Sequence, residues 1–246
     1  MSGTWITWLK SLLEALAFRM EVPALLSPFH LILSSSCIIA AYALSSLMMR
    51  RHEKAFFAAG VVLACAEVFK QLFMWLIEGG GTYSCWWLPF QLCSMPMYIL
   101  CSIPFLNSSQ KQTAYTFLSS YGLIAAILAF AWPQDMLRSY VVMTAHSFGY
   151  HAVFLAASFT CVRKKLYGKE FLPCLKLFFL LAACAEVLNL CFPEANMFYI
   201  SPHHPSLQPF FSILAAVSVW LEIPVYLGLL SVSAWLLHRI FIAKQN

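Results

Sequence analysis

"AFFAAGVVLACAEVFKQLFMWLI", residues 55–77, carries only Glu67 and Lys70 as charged groups. A run this long reaches across the ~30 Å hydrocarbon core of a bilayer when it is helical. Lipid offers no hydrogen bonds to a peptide backbone, so an apolar run of this length must satisfy its N–H and C=O groups internally, as a helix does. The alternation that marks a barrel strand is absent from it. Comparable runs occupy roughly 25–49, 86–106, 113–132, 138–161, 171–192 and 210–238. The expectation is an all-α polytopic membrane protein with seven transmembrane helices spread over residues 25–242. Composition points the same way, with 61% hydrophobic and 10% charged residues in a chain of 246 and a mean hydropathy of +0.76. Soluble domains carry about a quarter charged residues, so that class is excluded.

Residues 1–24 read differently. Lys10, Glu14, Arg19 and Glu21 interrupt the apolar positions, and no basic cluster precedes a hydrophobic core as in a cleaved signal. An amphipathic segment at the interface is expected, with Trp5 and Trp8 at headgroup level. The nine cysteines are scattered, mostly inside apolar runs, with neither metal-ligand spacing nor a disulfide framework. No metal or other cofactor is expected.

Seven crossings divide the connecting loops into two sets. One set holds ten basic residues, among them Arg50, Arg51, Lys111, Arg163, Lys164, Lys165 and Lys169, whereas the other holds Lys10, Arg19 and Arg138. Short loops rich in Lys and Arg stay cytoplasmic, so the amino terminus is expected outside and the carboxyl terminus inside. The expected location is a bacterial cell membrane. This asymmetry accounts for the net charge of +5 and gives no reason to invoke nucleic acid. An internal repeat is also visible. "ACAEV" occurs at 64–68 and 183–187, an offset of 119, while His30 and His151 are 121 apart and Pro89 and Pro209 are 120 apart. These registers suggest a parallel 3 + 1 + 3 repeat, whose working site would sit between the halves.

Polar groups inside lipid are costly, so each suggests a site until a structural role is found. Glu67 and Lys70 are three apart on one helix face and read either as an internal ion pair or as part of a solute path. Glu186 and Asn189 repeat that spacing without a cation. His146 and His151 are five apart and so point about 140° from each other, too divergent for one site. Cys93, in "LPFQLCSM" (88–95), and His146 each fall seven or eight residues into their expected spans, roughly 10–12 Å below the outer boundary. His30, Glu186 and Asn189 share that stratum. A thiol and an imidazole at equal depth are the parts of a nucleophilic pair, because the thiolate is the nucleophile and the imidazole accepts its proton. Gln91, Asn189 or a backbone N–H would stabilise the oxyanion. A site at this depth meets the ester linkage of a membrane phospholipid, which is the expected substrate. The competing expectation is a transporter of a small polar or anionic solute, built on Glu67 and Lys70.

The motifs "LPFQLCSM", "YGLIAAILAFAWPQDM", "YVVMTAHS" and "NMFYISPHHPSL", in that order, resemble those of the YwaF-type bacterial integral membrane proteins. That family is similar to an animal transmembrane O-acyltransferase that remodels ether phospholipids through a cysteine thioester. The resemblance covers roughly residues 50–225. It implies Cys93 as acyl acceptor, His146 as its base, and Asn196 as the asparagine of the last motif. Two residues before the cysteine the family commonly has histidine, where this chain has Gln91. The proline-rich stretch "ISPHHPSLQPF" (200–210) is expected to form a stiff loop over the outer mouth and not a metal site at His203 and His204.

Overall fold

The computed structural model describes residues 4–201, 203 and 218–244, and among them the regular structure is helical. Among the described residues the α-helices are, in order, α1 (Thr4–Glu14), α2 (Pro28–Met48), α3 (His52–Phe73), α4 (Met95–Ser102), α5 (Ser108–Phe117), α6 (Leu123–Ala131), α7 (Val141–Arg163), α8 (Leu172–Cys191) and α9 (Val219–Ala243). Local chemistry explains several boundaries. Ser27 accepts the His30 N–H ahead of Pro28, which costs α2 nothing at its first turn. Asn107 and Gln110 form a reciprocal capping box at the start of α5. A π-turn at Leu118–Gly122 joins α5 to α6 in one apolar rod.

Among the described residues four helical stretches are long and apolar enough to cross a membrane: Pro28–Glu78, Ser108–Ala131, Leu172–Cys191 and Leu221–Ala243. The first is a hairpin. Tyr42, Ser45 and Met49 meet Phe159, Thr160 and Lys164 in turn, so α2 and α7 run in the same direction. Ala66 meets His146 and Phe73 meets Tyr140, so α3 runs opposite to α7. The chain reverses at Arg51, whose backbone (φ −135, ψ 58) leaves the helical region. Helix α7 has 23 residues, yet His146, Ser147 and His151 lower its hydropathy and it is not among the four. It is buried along much of its length, and His151, Ser158 and Thr160 are enclosed by protein.

The expected span 86–106 is the largest departure. Pro89 does not begin a helix. Cys85–Trp87 forms a separate 3₁₀ turn, and the helix proper runs Leu92–Phe105, with 3₁₀ turns at both ends of α4. At 1.5 Å per residue this unit is roughly 20 Å long, too short to cross alone. It packs close on α3. A Cβ at Gly60 would come 2.6 Å from the Cys101 backbone N, so only glycine permits this approach.

The main core draws on α2 to α9. Tyr121 stacks on Phe178 at 4.2 Å, and Phe178 in turn meets Phe198 of the loop after α8. A second core ties α1 to the far end of α3, where Leu13 packs with Phe73, Met74, Leu76 and Tyr140. Trp5 and Trp8 of α1 remain exposed. The two ACAEV segments lie on α3 and α8. Of the repeat's other members, Pro209 lies outside the described residues, as do His204 and most of the 200–210 loop.

Candidate functional site

The site forms where irregular backbone reaches into the bundle. Beyond α3, Gly81 adopts φ +99 and the chain turns back without regular structure from Thr82 to Ser84. Gln71 of α3 fastens this return by donating to the Trp87 carbonyl, and it also bonds Glu67 and Tyr83. Backbone of this kind is tolerated at membrane depth only where protein satisfies it or a cavity borders it. The chain stays extended at Gln91 (φ −77, ψ 158), and the helix starts at Leu92. Cys93 is therefore the second helical residue. The Ser94 N–H bonds the Gln91 carbonyl, whereas those of Leu92 and Cys93 belong to the first turn, which has no intrahelical acceptor. A thiolate or an oxyanion there meets the positive end of the helix.

Helix α7 brings the imidazole. His146 Nε2 lies 3.0 Å from the Ala66 carbonyl, which can only accept, so Nε2 carries the proton. Nδ1 is then the basic nitrogen. It is buried and has no hydrogen-bond partner among the described residues. Tyr150, one turn on, is only 7% exposed and its hydroxyl is likewise without a partner. Its ring lies 5.8 Å from that of His146. Tyr150 and Cys93 lie within charge-interaction range of each other and of Glu67. The Gln91 carbonyl oxygen Oε1 is a third orphan, two residues from the thiol. Each such buried group costs ~1–3 kcal/mol relative to a satisfied one. His146, Tyr150 and Gln91 thus each bury a polar atom that the fold leaves without a partner among the described residues. No hydrogen bond joins Cys93 to His146 among the described residues.

The other expected site residues divide by their partners. Glu67 binds Lys70 at 2.7 Å, so the two charges compensate each other. His30 is saturated: Nδ1 accepts the Leu26 N–H at 3.0 Å and Nε2 donates to the Phe130 carbonyl at 2.9 Å. His151 is turned to its own helix, with Nδ1 2.7 Å from the Ser147 carbonyl. Asn189, fully buried, clasps Met197 through both its amide atoms and touches Glu186 at 3.5 Å. Asn196 accepts the Ser201 N–H on its side chain, and its carbonyl takes the Gln91 amide at 2.8 Å. The two asparagines thus shape the segment after α8, where Phe198 and Tyr199 both hold positive φ near 56°. Such backbone persists only when its surroundings over-determine it. Burial and then the Asp135 carboxylate push the Tyr199 hydroxyl well above its ordinary value, so it stays protonated and donates to Asp135.

Tyr150 was the residue that sequence reasoning missed. Its signal was present in "HSFGY" (146–150), since positions four apart share a helix face. Tyrosine in an apolar span nevertheless reads first as core.

Fold and site together define an all-helical membrane protein with a cysteine and an unpartnered imidazole nitrogen inside its bundle. The model of the TMEM164 family, a family of membrane proteins, matches residues 24–241, and the chain belongs to that family. No curated protein and no solved structure matches it.

Proposed function

We propose that this protein is a membrane-embedded acyltransferase or acyl hydrolase acting on phospholipid acyl chains through a thioester on Cys93. One observation carries the reading: His146 is held with its proton on Nε2, which leaves a buried, unpartnered Nδ1 one turn from Tyr150, itself within charge-interaction range of the helix-N-terminal Cys93. His146 Nδ1 takes the Cys93 proton, and the thiolate attacks the ester carbonyl carbon. The tetrahedral oxyanion is met by the Leu92 and Cys93 N–H groups and by the Tyr150 hydroxyl. Collapse breaks the ester C–O bond, and the departing alkoxide of the lysolipid receives the proton from His146. In the second half a hydroxyl of another lysolipid, or water, gives its proton to Nδ1 and attacks the thioester. The thiolate leaves and is reprotonated. Hydrogen bonds between such partners often close only when substrate is bound. Gln91, Asn196 and Asn189 position the pocket wall and are not reactive groups.

The competing transporter reading needs charge available to a solute, and Lys70 is already neutralised by Glu67. For the membrane topology we read α2, α3, the Cys85–Phe105 unit, the α5–α6 rod, α7, α8 and α9 as seven crossings, with the amino terminus outside. Reporters fused at Asn107 and Lys164 should behave as cytoplasmic and one at Gly80 as external. An external signal at Lys164 would overturn this topology.

Purified protein given labelled phospholipid should trap label on Cys93 as a thioester that hydroxylamine releases. Cys93→Ser should abolish both trapping and lipid turnover while the protein still accumulates. Normal turnover by Cys93→Ser would reduce the thiol to packing and end the reading.

A further inference from the structure

Helix α1 carries two apolar stripes, and the bundle covers one of them. At about 100° per residue, Ile6, Leu9 and Leu13 fall on one stripe, and all three pack into the core made with Phe73, Met74, Leu76 and Tyr140. Trp5, Trp8 and Leu12 form the adjacent stripe and keep 55%, 65% and 47% of their surface exposed. Thr7, Lys10, Ser11 and Glu14 occupy the remaining arc and are exposed, with Lys10 and Glu14 paired at 3.9 Å. The exit from the helix is fixed as well. The Met20 N–H donates to the Ser139 carbonyl at 2.8 Å and the Val141 N–H to the Phe18 carbonyl at 3.0 Å. Between them the Arg19 guanidinium donates to the Tyr140 hydroxyl at 2.9 Å and lies over its ring. Helix α1 is thereby held at the level where α3 ends and α7 begins.

We infer that α1 lies in the plane of the membrane and that a phospholipid interface of no net charge covers its Trp5, Trp8 and Leu12 stripe. The inference is independent of the chemistry at Cys93. Level is the first argument. Met74 and Leu76 stand at the end of Pro28–Glu78, a stretch long and apolar enough to cross a membrane, so a helix packed on them sits at the boundary of the hydrocarbon core. Its 11 residues reach roughly 16 Å, too short to cross a ~30 Å core. Continuity is the second argument. Exposed Leu16, Phe18, Val22 and Leu26 carry the uncovered apolar surface from α1 to α2, where exposed Leu31 and Ile32 lie within the Pro28–Glu78 stretch and meet lipid. Side-chain chemistry is the third. Indole rings suit the headgroup level, with an apolar body and a polar N–H, and the polar arc of α1 points away from the two tryptophans. Charge decides the kind of surface. Lys10 and Glu14 cancel within the helix, so α1 has no basic face to draw it to anionic lipid, and apolar burial holds it there.

Photocrosslinking and depth-dependent quenching test this on the full-length protein. In the first, p-benzoylphenylalanine replaces Trp8, Leu12, Lys10 or Glu14, one at a time, and the protein is irradiated in phosphatidylcholine nanodiscs. All four positions are exposed, so the packed stripe stays intact. Lipid adducts counted by mass spectrometry should be at least about fivefold more abundant from the Trp8 and Leu12 positions than from those of Lys10 and Glu14. Replacing about a third of the lipid by phosphatidylglycerol should change the yields at Trp8 and Leu12 less than about twofold. In the second, the emission of Trp5 and Trp8 is obtained as the difference between the native protein and Trp5→Phe/Trp8→Phe. Phosphatidylcholine brominated near the headgroup end of its chains should quench that difference more than lipid brominated near the chain ends, as an in-plane helix seated ~5–10 Å into the boundary requires. Equal adducts from all four positions would overturn the orientation, and stronger quenching by the deep bromines would overturn the in-plane placement. Crosslinks from Trp8 or Leu12 to a second copy of the chain, in place of lipid, would make the stripe a protein interface and end the inference. Adducts that form only with phosphatidylglycerol present would overturn the uncharged surface as its occupant.

Discussion

Tyr150→Phe separates a reacting hydroxyl from a packing one, because the two roles predict opposite signs. Tyr150 is 7% exposed, and its hydroxyl has no hydrogen-bond partner among the described residues. The ring packs between His146 at 5.8 Å, His151 at 6.0 Å and Phe154 at 6.1 Å, and phenylalanine keeps all of these contacts. Removing the oxygen therefore removes only a buried, unsatisfied dipole, whose penalty is ~1–3 kcal/mol. The variant should be more stable by about 1 kcal/mol, which for a domain of this size raises Tm by roughly 2–4 °C. Catalysis should move the other way. An oxyanion donor is worth ~3–4 kcal/mol of transition-state stabilisation, so thioester formation should slow by 10²–10³-fold. Thermal unfolding followed by circular dichroism in detergent reads the first quantity, and single-turnover trapping on Cys93 reads the second. A lower Tm with unchanged trapping would show that the hydroxyl is a structural partner and would remove Tyr150 from the mechanism.

Three further perturbations have defined outcomes. His146→Gln keeps an amide that can donate to Ala66 but removes the base, so the protein should fold and lose turnover at least a hundredfold, while His151→Ala should retain measurable turnover. His30→Leu strands both the Leu26 N–H and the Phe130 carbonyl, and chemical unfolding should show a loss of ~2–4 kcal/mol with per-molecule turnover preserved. Lys70→Met leaves the Glu67 carboxylate unpaired and should cost ~3–5 kcal/mol, whereas replacing both by leucine should cost less; solute uptake abolished by Lys70→Met in folded protein would revive the transporter reading.

The helical architecture was legible because lipid leaves a backbone few choices. Apolar runs at 25–49, 55–77, 113–132 and 171–192 contain α2, α3, the α5–α6 rod and α8, with ends displaced by a few residues where caps and turns set the boundary. Helix α7 was legible for a different reason. Its hydropathy is marginal, but polar residues on a helix buried against neighbours are tolerated, and Ala66 supplies the acceptor that His146 needs. The roles of individual polar residues were less legible. Composition cannot tell a saturated histidine from an unsatisfied one: His30 and His146 read alike, and only the carbonyls and N–H groups that reach them from distant segments separate the two.

The cysteine's helix starts later than the apolar run 86–106, and the physical reason bears on the chemistry. Proline suits a first helical turn, but it suits an extended approach equally well. Here the Pro89 carbonyl accepts from Tyr98, and Gln91 stays extended to reach Asn196. The late start shortens the helix without moving the cysteine towards the surface. Measured from the Asn107 end, Cys93 stands roughly 20 Å deep in a core of ~30 Å, which leaves it ~10 Å from the opposite boundary. A helix begun at Pro89 would have placed the cysteine past the first turn, with its N–H bonded inside the helix. The irregular approach instead lowers the helix terminus to the level of the thiol. The first-turn N–H groups, which a continuous span would have left near the headgroups, then face the atom on which negative charge would develop.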